Sequence, residues 1–134
     1  MGVSALQVRE MDPDLDDNYQ ERVNAWLVSC FGDEAAYDRL DRTHRFLEEA
    51  LELAQAGGCT RDDAIALLNY VFTRPVGDVA HETGGVMVTL AGMAHAHNVD
   101  MNAAGEAELD RNHRRTSAIR EKRSRKPPNS PLPQ

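Results

Sequence analysis

Apolar residues recur at helical spacing along most of the chain. In the stretch from about 17 to 31 they fall on one side of a helix: Val23, Trp26, Leu27 and Cys30. A second stretch, about 34 to 56, repeats a four-three pattern: Tyr37, Leu40, His44, Leu47, Leu51 and Ala54. Gly57 and Gly58 end it. The pattern therefore predicts two amphipathic helices, each with one face turned to a core.

Three further helices follow in the same way. Thr60, with Asp63 three residues on, begins a third helix that ends at Arg74-Pro75. Asp78 caps a fourth helix that reaches about residue 97, and a fifth runs from about 103 to 123. The inner faces of the third and fourth helices hold nine residues: Leu67, Leu68, Val71, Phe72, Val86, Leu90, Met93, Ala94 and His97. We expect an all-α bundle of four to five helices.

The length of 134 residues fits one domain, which we assign to residues 1–126. Within it, residues 1–16 form an N-terminal arm that contains Pro13 and many acids. Residues 127–134 hold four prolines and cannot be helical. We expect this tail to lie on the body of the protein or on a partner subunit.

Composition agrees with a soluble helical domain, since 41% of residues are apolar, 28% are charged and only 5% are aromatic. The net charge of −7 argues against nucleic acid as the main partner. Acids concentrate in 9–21 and bases in 111–126, which indicates either two solvated ends or a basic end near a polyanionic ligand. No signal peptide or apolar run of about 20 residues is present, so we expect no membrane contact and a cytoplasmic location, the host's if the protein is viral.

Candidate chemistry lies in the second predicted helix. Glu48, Glu49 and Glu52 fall within a sector of roughly 100° beside the apolar stripe. Like charges three or four residues apart repel, and a cation would reverse that effect. Mg²⁺ prefers oxygen ligands, and Glu82 of the fourth helix is the obvious neighbouring carboxylate. The alternative is a solvated helix face, because EExxE strings are common in helices.

These strings resemble the all-α nucleoside triphosphate pyrophosphohydrolases of the MazG-like superfamily, in the short form found in phages and bacteria. The family carries EExxE on one helix and ExxD on a later one, here matched by residues 48–52 and 82–90. The likeness in helix order and length runs from about Trp26 to Arg115. Gly85 replaces the usual Asp. Three alternatives follow: the four glutamates suffice, Asp110 or Glu108 of the fifth helix takes the place of the Asp, or the site binds nucleotide without turnover.

The resemblance implies that a (d)NTP and water yield a (d)NMP and pyrophosphate, with two or more Mg²⁺ ions that Mn²⁺ can replace. It implies Glu49, Glu52 and Glu82 as metal ligands and Glu48 as the catalytic base or a further ligand. Positive groups should hold the phosphates: Arg74, Arg111, Arg114, Arg115, Arg120 and Lys122. Asn112 matches a phosphate- or sugar-contacting Asn of the family. Trp26 is either a base-stacking residue or part of the core. By analogy we expect a purine substrate, GTP or dGTP.

The resemblance also implies an assembly, a homodimer or a tetramer, with site residues supplied across the interface. The pair Gly84-Gly85, costly inside a helix, indicates either a close helix crossing or room for a ligand. Two other functions remain open from the sequence. One is a nucleotide sensor without catalysis, consistent with Gly85; the other is a helical module that binds a partner through its basic end and Pro-rich tail.

Overall fold

The computed structural model describes residues 18–125 and 131–132, and within these residues the chain is helical and has no strand. Seven helices follow one another: α1 Tyr19–Phe31, α2 Asp33–Ala36, α3 Arg39–Ala56, α4 Arg61–Phe72, α5 Val79–Ala96, α6 Met101–Arg114 and α7 Thr116–Ser124. The expected all-α class is confirmed. The expected count of four to five was too low, because two predicted helices are each divided. The N-terminal arm and most of the tail lie outside the described residues.

The first division separates α2 from α3 at Tyr37 and Asp38. Asp38 is extended (φ −72°, ψ 99°), and its carboxylate accepts a hydrogen bond from the backbone N–H of Asp41 at 3.0 Å. An Asp that caps a helix in this way leaves the helix interior, since its side chain satisfies a backbone donor that the helix itself cannot. The prediction of one helix over 34–56 was therefore wrong.

The second division separates α6 from α7 at Arg115. The Thr116 hydroxyl shares its proton between the carbonyls of Asn112 and His113, both at 3.1 Å, and accepts a hydrogen bond from the Trp26 indole N–H at 3.3 Å. Side-chain hydroxyls that bond to earlier carbonyls bend helices. The fifth predicted helix is accordingly two helices, and it begins at Met101 because Asp100 supplies the cap.

The remaining helix ends agree with the sequence patterns. Thr60 caps α4 by accepting from the N–H of Asp63 at 3.1 Å, and Asp78 caps α5 by accepting from His81 at 3.0 Å. After α3, Gly58 has a φ of +96°, a left-handed conformation that glycine adopts without strain. This turn lets the N–H of Cys59 reach the carbonyl of Ala54 at 2.9 Å.

The core lies where α1 packs against α6 and α7. Trp26, Cys30 and Leu109 are 8%, 4% and 5% exposed. Around them pack four partly buried residues: Val23, Leu27, Phe31 and Ile119. The apolar stripe predicted for the first helix is thus confirmed. Arg120 secures α7 on the same helix by donating to the backbone carbonyls of Cys30, at 2.6 Å, and Ser29.

Outside this core, α3, α4 and α5 leave most of their apolar faces in solvent. Eight residues predicted to face inward are exposed: Tyr37, Leu40, Leu47, Leu51, Leu67, Leu68, Val71 and Phe72. Val86 and Leu90 of α5 are also exposed. The core expected beneath these faces is not found within the described chain, because no other described helix covers most of them. Among the helices described, none is long and apolar enough to span a membrane.

Candidate functional site

A groove of about 1140 Å³ lies between α3, α5 and α6. Its walls are mostly apolar and include Leu53 of α3, Leu90 of α5 and Met101 of α6, whereas Glu49 and Glu108 are among its polar lining residues. At its base α3 and α5 approach closely, since a Cβ at Gly57 would lie 2.6 Å from Cε of Met93. The EExxE segment therefore borders a concave surface, as a ligand site requires.

Among the acids that border this groove, Glu49 has a raised pKa. It keeps contact with solvent, yet partial burial raises its pKa, and the negative charges of Glu52, Glu108 and Glu48 raise it further. Lys122 acts in the opposite direction. Mutual repulsion among acids near one point is the situation that a bound cation relieves, because the cation favours the ionised form of each.

Glu108 is the unexpected member of this group. It was one of two residues considered as a replacement for the Asp absent at position 85, and its charge acts on Glu49. Asp110, the other, instead acts on Arg22. Glu108 is paired with Arg111 three residues on, so one expected phosphate-binding arginine is engaged in the single chain.

Glu82 lies elsewhere in the single chain. Its carboxylate folds back on the loop before α5, where a Cβ at Gly77 would meet Glu82 Oε1 at 2.6 Å. It is exposed and is not among the groups that shift the pKa of Glu49. Across the described part of the chain, no three His, Cys, Asp or Glu side chains are grouped closely enough to hold a metal ion. The oxygen donors of Glu48, Glu49, Glu52 and Glu108 suit Mg²⁺ in type, but one chain does not gather them at ligand distance.

The expected substrate-binding residues do not all lie near Glu49 in the single chain. Lys122 acts on Glu49, whereas the Arg74 guanidinium lies 5.1 Å from the ring centre of Tyr70. Arg115 is exposed at the junction of α6 and α7, and Asn112 uses its backbone carbonyl to accept from Thr116. Trp26 is buried, and its N–H is bonded to Thr116, which favours the core alternative for this residue.

Glu48 has a partner that the sequence did not single out. Arg45, three residues earlier, donates to the Glu48 carboxylate at 3.1 Å. The same guanidinium donates to the backbone carbonyl of Pro131. The expectation that the tail lies on the body is thus confirmed at this position. The spacing of three residues on one helix was a signal available in the sequence.

The glycine pair of α5 is not explained by packing within the chain. A Cβ built at Gly84 or at Gly85 would meet no other atom within 4 Å in the described residues, and the same holds for Gly92. A close crossing with another described helix of the same chain is therefore excluded. At these three glycines the backbone of α5 therefore faces open space in the described part of the chain.

Comparison with known proteins adds no assignment. A scan against models of protein families, a search of characterised proteins and a search of solved structures each found no match to this chain.

Proposed function

We propose that this protein, as an assembly of two or more copies, is a metal-dependent nucleoside triphosphate pyrophosphohydrolase of the MazG-like type. The observation that carries the proposal is the setting of Glu49. This carboxylate has a raised pKa, borders the groove and is surrounded by Glu48, Glu52, Glu108 and the opposing Lys122. Perturbed acids beside a concave surface are typical of functional sites. We further propose a cytoplasmic location and a purine nucleotide, GTP or dGTP, as substrate.

In this proposal water attacks the α-phosphorus, the bond to the bridging oxygen breaks, and pyrophosphate leaves. Bound Mg²⁺, or Mn²⁺ in its place, would neutralise the triphosphate and lower the pKa of the attacking water. Glu49, Glu52 and Glu82 would hold the two or more ions, and Glu108 is the candidate for the place of the missing Asp. Glu48 would take the proton that the water releases. Asn112, Arg115, Lys122 and Arg74 would contact the substrate, whereas Trp26 belongs to the core beside Thr116.

The assembly is part of the proposal, because Glu82 does not join the Glu49 group within one chain. The exposed faces of α4 and α5 supply the reason to expect a partner copy. Exposed apolar side chains on these two helices, among them Leu68, Phe72 and Val88, are typical of an interface. Each of the glycines Gly84, Gly85 and Gly92 costs about 1 kcal/mol relative to alanine inside a helix, and close approach by another copy would offset that cost. A dimer or tetramer would then bring one copy's Glu82 to the other copy's α3.

The test is an assay of pyrophosphate release from a panel of NTPs and dNTPs, with Mg²⁺ or Mn²⁺ and with chelator. We expect turnover that Glu52→Gln lowers at least a hundredfold and that Glu34→Gln leaves unchanged. Glu34 is the matched control because it is exposed on α2, away from the groove. Wild-type protein that releases no pyrophosphate from any nucleotide contradicts the proposal.

The same panel separates the two other functions. Nucleotide binding without turnover, measured by calorimetry, identifies a sensor, and the replacement of the usual Asp by Gly85 favours that outcome. If the protein shows neither binding nor turnover, the helical interaction module remains, with the basic end and the Pro-rich tail as its expected contact surface and the exposed faces of α4 and α5 as an additional one.

A further inference from the structure

We propose that Arg45, together with Arg42 and Arg123, forms a binding site for a diphosphate group, and that the Pro131 carbonyl occupies it in the free protein. We call these three residues the arginine cluster. As part of an active site the cluster rests on the proposed function, since it would hold the two outer phosphates of the substrate and the pyrophosphate that leaves. As a binding site it rests on geometry alone.

The cluster is assembled from two helices around the end of a third. Arg123 of α7 and Arg42 of α3 both donate to the Asp41 carboxylate, at 2.7 and 2.5 Å. Both guanidinium groups also stack on the ring of Phe31 at the end of α1, at 5.0 and 5.9 Å from its centre. These contacts hold the arginines in place, so a ligand would meet donors that are already ordered.

Arg45 lies one turn further along α3, on the side of the helix that carries Arg42 three residues before and Glu48 three residues after. Only 18% of its side chain is exposed. The three arginines face two carboxylates, Asp41 and Glu48, so one positive charge remains in a protein whose net charge is −7. Such a surplus, where most of the protein is acidic, is a feature that an anion would recognise.

The hydrogen bonds of the cluster are also incomplete. The Nε atoms of Arg42 and Arg45 are buried and have no hydrogen-bond acceptor among the described residues. Buried donors normally have a partner, and guanidinium groups pair with phosphate through two parallel N–H···O bonds. The Pro131 carbonyl takes one donor of Arg45 and offers a single neutral oxygen. A diphosphate offers several charged oxygens, so it would replace the carbonyl with stronger bonds.

The position of the cluster agrees with the reaction proposed above. Arg45 precedes Glu49 by four residues, which is about 6 Å along the helix axis. Arg42 and Arg45 therefore lie next to the acids on α3, and Arg123 of α7 meets Arg42 at the Asp41 carboxylate. A substrate whose α-phosphate is near Glu48 and Glu49 would extend its outer phosphates towards Arg45 and Arg42. The tail carbonyl would have to leave first, so tail and substrate compete.

The experiment measures the binding of inorganic pyrophosphate to the full chain by calorimetry, without metal and without nucleotide. We expect Arg45→Gln to weaken binding at least tenfold and Arg42→Gln to weaken it severalfold. Arg61→Gln is the matched control, because it removes the same charge from an exposed position on α4. Inorganic sulfate at equal ionic strength serves as the single-group anion, and circular dichroism checks that each variant is folded.

If Arg45→Gln does not fold, a measurement on the wild-type protein still tests the inference. In ¹H–¹⁵N spectra of the full chain, the amide signal of Leu132 should shift as pyrophosphate displaces the Pro131 carbonyl. Absence of binding, equal loss in Arg45→Gln and Arg61→Gln, sulfate that binds as tightly as pyrophosphate, or a Leu132 signal that stays fixed at saturation would each overturn the inference. Because no turnover is measured, failure of the proposed hydrolysis leaves the binding result standing, and hydrolysis without Arg45-dependent binding removes this inference alone.

Discussion

The helices α1, α6 and α7 and the pair α4–α5 have similar sequence patterns but opposite surroundings. Trp26, Cys30 and Leu109 of the first group are nearly inaccessible to solvent, and side-chain contacts such as Arg120 to α1 join its members. In the second group Leu68 is 52% exposed and Phe72 82% exposed. In both groups apolar residues repeat at helical spacing, and α1 and α6, like α4 and α5, begin at a side-chain cap. The difference therefore concerns what covers the apolar face, which the pattern itself does not state.

Helical periodicity indicates that one face of a helix is buried, but it does not indicate which surface covers that face. For α1 that surface belongs to the same chain. For α4 and most of α5 the described chain leaves the apolar face exposed, and only the end of α5 near Met93 packs on a neighbouring segment. Burying a Leu or Phe side chain contributes about 1.5–3 kcal/mol. A second copy is the partner that the proposed assembly would provide. Mutations that act on one group and spare the other can test this contrast.

The largest effect is expected from shortening a leucine in the core group. Leu109→Ala should lower the free energy of unfolding by about 2–5 kcal/mol, since it leaves a cavity beside Trp26 and Cys30. Leu68→Ala is the matched change on α4 and should alter the stability of dilute protein by less than about 0.5 kcal/mol. Urea denaturation followed by the fluorescence of Trp26 measures both.

Measuring the two stability losses at several protein concentrations tests the contrast further. If α4 is covered by another copy, the cost of Leu68→Ala should grow as the protein is concentrated, because the interface then exists in the folded state. The cost of Leu109→Ala should stay constant. Equal costs for the two variants at low concentration would contradict the contrast between core and exposed helix.

A charge on the exposed face should act on assembly rather than on folding. Val88→Asp places a carboxylate on α5, where Val88 is exposed, and a charge buried at an interface is costly. We expect the dissociation constant of the assembly to rise at least tenfold in sedimentation experiments. Leu132→Asp adds the same charge to an exposed tail residue and should leave assembly unchanged. A wild-type protein that sediments as a monomer at all concentrations would contradict the proposed dimer.

Removing a helix cap should distinguish α3, which is tied to the core group through α7, from α4 at about 1 kcal/mol. Asp38→Ala removes the cap of α3, whose first turn is joined to α7 through Asp41 and Arg123, so the loss should lower global stability by about 1 kcal/mol. Thr60→Ala removes the equivalent bond from α4. Because α4 packs on little of the described chain, hydrogen exchange should increase in its first turn with a smaller change in global stability.

An equal global loss for both variants would mean that α4 is coupled to the core as tightly as α3. That result would count against the description of α4 as a helix without an intrachain partner. The exchange rates of α6 serve as the internal control, since this helix belongs to the core group in both variants.

Much of the fold could be predicted because it depends on local interactions. Thr60 and Asp78 act through bonds to backbone atoms three residues away, so the starts of α4 and α5 could be located from the sequence. The division at Asp38 was missed because the apolar pattern continues through it. The division at Arg115 depends on Thr116, whose hydroxyl also accepts a bond from Trp26, ninety residues earlier. Long-range contacts of this kind leave no periodic signal.

The site was predictable to the extent that it lies on one helix. Glu48, Glu49 and Glu52 share a face of α3 by spacing alone, whereas the approach of Glu108 and Lys122 to Glu49 depends on how α6 and α7 pack. The sequence did not point to Arg45, because most of the basic surplus lies near the end of the chain and the phosphate-binding residues were expected mainly there. Glu82 is a different case, since its expected meeting with α3 remains a prediction that depends on the assembly.

The smallest expected effect concerns the charge of Glu49. Burial and the neighbouring acids raise its pKa in the folded protein, so ionised Glu49 destabilises the folded state. Below the ordinary glutamate pKa both states are protonated and the cost is absent. The contribution of Glu49 to wild-type stability should therefore decline as the pH rises from that value through the raised folded pKa, whereas the lowered pKa values of Asp41 and Glu106 act in the opposite direction. Glu49→Gln should be more stable by a few tenths of a kcal/mol near neutral pH, as for relief of one like-charge pair on a helix.

If the acids near Glu49 bind Mg²⁺, the ion should make the wild type more stable than Glu49→Gln, which is the reverse of their order without the ion. The ion stabilises whichever form of the protein it binds, so Mg²⁺ should raise the Tm of the wild type at neutral pH and raise that of Glu49→Gln less. Glu34→Gln, an exposed change on α2, should respond to Mg²⁺ as the wild type does. If the three proteins respond alike, the repulsion around Glu49 is not relieved by the ion. Since the same acids carry the proposed hydrolysis, that outcome would remove its physical basis while leaving the contrast between the core and α4–α5 intact.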